Sequence, residues 1–309
     1  MSATITTTTS SSIEEKASLH SARPSFVGMV RGELLKISRM WMTWIMFVLM
    51  TGAMVMLNVL LVTAHDMKDA LQKAPLAALY EAMGMNLTVF RVFVGFFLLL
   101  LTSYVIGQEF QFGTIRVLLS RGAGRVQLLL AKLSALVLVA LALVVFALIL
   151  DSIMIALLII YIQGNLSALQ SITPAFWSNT GLYLLTVLIS MGVTILMAVA
   201  VNALFRSLAL GMSAALAWFA VDNVGVVFLL LATEVTGSKF WMNVSAYFLG
   251  PNLNVMPRVV LPASINAVRI GATPLVNVDG PHTLWVALGF AVVFAVSALL
   301  LTWLRDVKE

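Results

Sequence analysis

Gly107–Lys132, GQEFQFGTIRVLLSRGAGRVQLLLAK, is the one polar interval in the first half of an otherwise apolar chain. It carries a carboxylate at Glu109, a Gly-Thr break at Gly113 and Thr114, and arginines at Arg116, Arg121 and Arg125. One long apolar run ends at its start and another resumes behind Lys132, so it reads as a short loop between two membrane-crossing helices. The chain on either side is interpreted from that loop outward.

Of 309 residues, 61% are hydrophobic and 10% charged, whereas soluble domains are about half apolar and about a quarter charged. The chain is therefore expected to be an integral membrane protein embedded in a lipid bilayer. Its formal charge of +5 does not point to nucleic acid, because the lysines and arginines sit beside apolar runs, where they orient helices. Absence of cysteine excludes disulfides, thiolate metal sites and thiol catalysis, and the three histidines, His20, His65 and His282, are too scattered to suggest a metal site. Neither H-E-x-x-H nor G-x-S-x-G occurs, so no enzymatic chemistry is expected in this chain.

Residues 1–24, rich in Ser and Thr, hold too few large apolar side chains to offset the entropy of ordering, and read as a disordered cytosolic tail. The long polar lead also argues against a cleaved signal peptide. In Phe26–Met40, apolar residues recur at helical spacing against Arg31, Glu33, Lys36 and Arg39, as in an amphipathic helix on the membrane surface. A basic flank that merely stops translocation is the alternative reading.

Apolar runs of about 20 residues, enough to cross a bilayer, predict six spans near 41–63, 87–107, 128–150, 181–203, 208–231 and 284–304 within one six-span membrane domain of residues 25–309. The run beyond Leu128 is too long for one span, so Asp151–Ile162 is left as an outer extension or a re-entrant piece. The Pro-rich segment after Leu231 carries Phe240, Trp241, Tyr247 and Phe248, too many large apolar groups for a linker. The expected fold class is an all-α membrane protein with six transmembrane helices, an N-terminal amphipathic surface helix and a structured external segment before the last span. Lysine and arginine concentrate on the N-terminal flank, the central loop, the Arg206 turn and the C-terminus, which places both termini and the loop in the cytosol.

Charges inside spans are costly, about 2.5 to 3.5 kcal/mol at a helix centre, so Arg91, Asp151 and Asp222 stand out. All three fall toward the outer ends of their spans, and an ion pair of Arg91 with one of the aspartates is the expected arrangement; a proton or substrate role is the alternative. Gly192, Gly211 and Ala215 are candidates for close helix packing. Lys132 is expected to snorkel toward the interface, while Glu109, at the positively biased end of a span, is expected to pair with a partner protein or within the chain.

Glu109-x-x-x-Gly113-Thr114, then Leu118-Leu119-Ser120-Arg121, then Arg125 and Lys132, resembles the first cytosolic loop of ABC-2 type transporter permeases. The E-L-L-K element Glu33–Lys36 before the first span and the closing Arg305-Asp306-Val307 are similar to that family as well; Gly122 departs from it, standing where the family usually has proline. The resemblance implies the transmembrane subunit of an ABC transporter in the plasma membrane, paired with a second permease and exporting a substrate. It also implies a coupling role for Glu109, Gly113, Thr114, Arg116, Arg121 and Arg125. No G-x-x-x-x-G-K-[ST] phosphate loop is present, so ATP, the only cofactor of such a machine, would be bound by a separate ATP-binding subunit. An ion- or proton-coupled secondary carrier is a second reading, although no inverted repeat is evident. A non-transporting membrane anchor or sensor subunit is a third.

Overall fold

The structure, a computed structural model, describes residues 25–63, 65–112, 122, 124–262 and 271–304. Helices account for nearly all of them, and no strand occurs among the described residues. In chain order they are α1 (Phe26–Ser38), α2 (Trp41–Thr63), α3 (His65–Lys73), α4 (Pro75–Phe112), α5 (Arg125–Gln163), α6 (Pro174–Phe205), α7 (Leu208–Thr236), α8 (Phe240–Ser245), α9 (Leu249–Val260) and α10 (Gly280–Leu304). Six of them, α2, α4, α5, α6, α7 and α10, are long and apolar enough to cross a membrane. The tail at residues 1–24 lies outside the described residues.

The core is organised around α4, which packs against α2, α5, α6 and α7. Its most apolar window is 61% buried, against 17% for α7 and for α10, so α4 is the inner post and those two are peripheral. Helix α6 is the second inner element, touching α4, α7 and α10. With 38 residues in α4 and 39 in α5, both helices extend about 57 Å, well beyond a hydrocarbon core of about 30 Å. The segment from Asp151 to Ile162 is thus the extension of α5, and not a re-entrant piece. That helix stops where Gly164 turns left-handed at φ 72° and returns its N–H to the Ile160 carbonyl.

Sharp connections are closed by specific groups. Ser25 caps α1 by accepting the Gly28 N–H at 3.1 Å. The free carbonyls at the other end of α1 are taken from the next helix: Thr43 Oγ1 donates to Ile37 O and Trp44 Nε1 to Ser38 O, each at 2.9 Å. Between α6 and α7 only Arg206 and Ser207 intervene; Arg206 adopts φ 52°, unusual for a residue with a Cβ, and Ser207 caps α7. So tight a turn sets α6 and α7 side by side.

On the opposite end from that turn, α8 and α9 form a cap over the bundle. Ser245 Oγ accepts the Leu275 N–H at 2.8 Å, His282 Nε2 meets the Ala246 carbonyl at 2.8 Å, and Asn254 Nδ2 donates to Asn223 Oδ1 and Ala272 O, both at 2.9 Å. The segment before the last span is therefore folded against its neighbours.

Of the small residues noted in the sequence, Gly211 packs against the side chain of Asn202, and Ala215 is fully buried, but Gly192 faces open space. At Gly107 the near neighbour is main chain: a Cβ would sit 2.8 Å from Leu208 Cα. Because that obstacle is backbone, Gly107→Ala is expected to lower stability by about 1 to 3 kcal/mol. Gly192→Ala meets nothing and should leave stability unchanged or slightly higher. Thermal unfolding of both variants in detergent checks this; equal midpoints would show that α4 and α7 do not meet at Gly107.

Candidate functional site

Where the first loop begins and ends, four charged side chains converge. Glu109 lies in the last turn of α4, Lys132 two turns into α5, and Glu33 and Lys36 one turn apart on α1. Lys132 Nζ stands 2.7 Å from Glu109 Oε1 and 2.8 Å from Glu33 Oε1. Lys36 Nζ closes the set more loosely, at 3.6 Å from Glu109 and 3.8 Å from Glu33. The group holds two carboxylates and two ammonium groups, so it is electroneutral when fully ionised. It binds α1 to both helices that flank residues 113–121.

Burial separates the two lysines. The side chain of Lys132 is 3% exposed and that of Lys36 35%. Lys132 therefore does not snorkel: it is the ammonium on which two desolvated carboxylates depend. The Lys36 ammonium is pushed below its ordinary value, first by burial and then by the Lys132 charge, which together outweigh the attraction of Glu33 and Glu109. Lys36 is thus the tolerated cation and Lys132 the required one.

Glu109 is placed as an intramolecular partner, one of the two roles its position suggested. Arg125 is the first residue of α5, behind Gly124 at the N-cap. Gly113, Thr114, Arg116 and Arg121 lie outside the described residues. Gly122, where the sequence departs from the proline usual in the family it resembles, has φ 82°. Proline is locked near −65° and could not take that conformation, so the turn depends on the glycine.

The three intramembrane charges are not paired with one another. Arg91 on α4 forms no ion pair with Asp151 or Asp222; its guanidinium donates to the Leu253 carbonyl of α9 at 2.5 Å. The reason is four residues further on: Leu253 O would ordinarily accept from residue 257, and Pro257 has no N–H to give. Arg91 fills the vacancy that the proline leaves. Asp222 on α7 serves the start of the same helix, accepting the Gly250 and Leu249 backbone N–H groups where the N-cap Phe248 offers no side-chain bond. Asp151 on α5 bonds Asn86 of α4, and Asn86 exchanges hydrogen bonds with Asn58 of α2. Each charge is thus matched to polar groups of another element rather than to an opposite charge.

Sequence reasoning singled out Arg91 and Asp222 but missed their partners, which are backbone groups of a helix distant in the chain. A signal for one was present, since Pro257 inside a helix frees the carbonyl four residues before it. Glu33 and Lys36 were visible on the polar face of the amphipathic segment and in the E-L-L-K element, with nothing local to show that α1 would face α5.

Removing Lys132 strands two buried carboxylates, so Lys132→Met is expected to cost about 3 to 5 kcal/mol. For the half-exposed Lys36, Lys36→Met should cost less than about 1 kcal/mol. Because the folded state holds Lys36 below its ordinary value, the unfolded chain binds the extra proton between the two values, and stability contributed through this group rises with pH across that interval. Thermal midpoints in detergent, measured through the alkaline range for wild type and both variants, test the ranking and the slope. The slope should be smaller in Lys36→Met than in wild type, and equal losses in the two variants would dissolve the distinction between the lysines.

Comparison with known proteins bears on what such a bundle does. A search of curated proteins found no match. Residues 29–246 match the family described as ABC-2 family transporter protein. The match begins in α1, takes in the charge cluster, the first loop and the Arg206 turn, and ends at the cap, covering more than half of the sequence. A six-span helical bundle with its inner charge cluster around that loop is thus a multi-pass membrane permease of the kind that serves ABC transport, and the chain belongs to the ABC-2 transporter family.

Proposed function

We propose that this chain is the membrane subunit of an ABC exporter, moving an amphipathic substrate with ATP hydrolysed by a separate ATP-binding subunit and working beside a second permease copy or homologue in the plasma membrane. One observation carries the reading: the buried Lys132 cluster ties α1, α4 and α5 together at the two ends of the loop that resembles the family's coupling loop. A displacement of the end of α4 or the start of α5 is then shared by α1, α4 and α5, with α4 the central helix. ATP binding falls to a partner because this chain has no phosphate loop. Arg116, Arg121 and Arg125 supply the cationic contacts to that partner, and both termini share its side of the membrane.

Two measurements test this. Because the native chain has no cysteine, single introduced cysteines can be labelled without background. A Ser167→Cys variant should react with an impermeant reagent on intact cells, and a Ser207→Cys variant only after permeabilisation. The reverse pattern overturns the orientation. With the permease co-expressed with phosphate-loop ATPases of the same genome, Arg116→Glu is expected to reduce recovery of the complex about tenfold or to leave it assembled with ATP turnover no longer responsive to the permease. Wild-type recovery and turnover would move the coupling contact away from this loop.

A further inference from the structure

Beneath α9, at the level of Arg91, a cavity of about 80 Å³ opens between α4, α6, α7 and α9. That volume accommodates several waters or one group the size of a carboxylate or phosphate. Its wall includes Arg91, Ser190, Thr194, Trp218, Phe219 and Asp222. Arg91 lies 18 positions before Glu109, about 27 Å along α4 at roughly 1.5 Å per residue, which sets the cavity near the membrane face opposite the Lys132 cluster.

Arg91 is 6% exposed, yet only one of its contacts is a hydrogen bond among the described residues, the bond to Leu253 O. A guanidinium has five N–H donors, so most of its capacity is directed at no protein acceptor. Burying an arginine in that condition is unfavourable unless something in the cavity accepts. Asp222 lines the same space, but it is engaged by the amides at the start of α9, which draw its charge toward that helix end. Tyr183, the other polar neighbour of Arg91, is occupied with Thr88 at 2.5 Å. Trp218 and Phe219 of α7 give the cavity apolar lining. Gly95 also faces it, and a Cβ there would meet nothing within 4 Å.

We propose that this cavity binds the anionic group, carboxylate or phosphate, of an amphipathic ligand whose apolar part lies along Trp218 and Phe219. Arg91 supplies a charged fork of donors, the Ser190 hydroxyl lines the same space while that of Thr194 is spent on the Ser190 carbonyl, and the missing side chain at Gly95 leaves room for the headgroup. The inference rests on the transport reading only for what the ligand is used for; binding itself needs no ATPase. It narrows the substrate to anionic amphiphiles, or identifies a lipid headgroup held at this level.

The full-length permease, purified alone in dodecyl maltoside, would be titrated with dodecyl phosphate, with dodecyltrimethylammonium as the chain-matched cation, following tryptophan fluorescence and the thermal midpoint. Wild type should saturate with dodecyl phosphate and bind the cation more weakly. Arg91→Gln should raise the half-saturating concentration about 10- to 100-fold, as expected for losing a charged hydrogen-bond donor. Gly95→Leu, which fills the cavity and keeps the Arg91 bond to Leu253, should raise it at least tenfold; it keeps the test valid if Arg91→Gln fails to fold. Competition by phosphatidylglycerol nanodiscs assigns the anion to a lipid, and competition by inorganic phosphate alone assigns it to a soluble ligand. Equal half-saturation in all three proteins, or tighter binding of the cation, overturns the proposal. A permease that binds dodecyl phosphate but fails the Arg116 test loses the coupling assignment and keeps this site.

Discussion

Lys132 is the group on which the half of the bundle beside the first loop depends. Two carboxylates from different helices are buried against one ammonium, and neither can be moved to water without unseating the helix that carries it. Such a cluster contributes little net stability compared with an apolar replacement, because the attraction is largely offset by desolvation. What it contributes is placement. An apolar contact would let α1 slide over α5 at small cost, whereas two ion pairs below 3 Å fix α1 against both ends of the loop. The loosely held Lys36 adds charge balance without adding constraint.

At the other end, the same problem is solved with backbone groups. A helix that lies over the bundle exposes amides at its start, and a proline within it exposes a carbonyl; both would be costly without partners. Asp222 and Arg91 answer them with charges of the matching sign. The three polar contacts joining α2, α4 and α5 through Asn58, Asn86 and Asp151 follow the same rule. Polar side chains inside this bundle are therefore read best by asking which element they hold, not which ion they face.

The sequence carried the helical class and the six apolar segments plainly, because a bilayer demands uninterrupted apolar runs and leaves them visible. Helix α2 can be read almost to the residue, since Trp41 and Thr63 bound an unbroken run. Boundaries drifted where helices leave the membrane: α4 begins at Pro75 rather than near Leu87, and α5 runs on past Asp151, because outside the bilayer polar residues no longer mark a helix end. Contacts between distant segments were the least legible. Arg91 and Asp151 are both intramembrane charges at similar depth, which made a pair look economical; that α9 folds back to offer Leu253 O and the Gly250 amide depends on tertiary packing with no local trace.

Helix α4 carries both Glu109 and Arg91, and its described hydrogen-bonded course runs unbroken between them. It therefore transmits tilt or translation as a rigid rod rather than absorbing it. The two attachments of that rod are unequal. At the loop end, separating α4 from α5 and α1 strands buried charges, a cost of about 3 to 5 kcal/mol. At the cap end, freeing α9 from α4 breaks one charged hydrogen bond, about 1.5 to 3 kcal/mol before any water or ligand takes its place, and Arg91 already faces a cavity where such replacements fit. The contact between Arg91 and α9 is thus the weaker of the two attachments of α4. Leu253 O takes only one of the five guanidinium donors, so a group in the cavity beside Arg91 would be held by the remaining donors while α9 keeps its own bond.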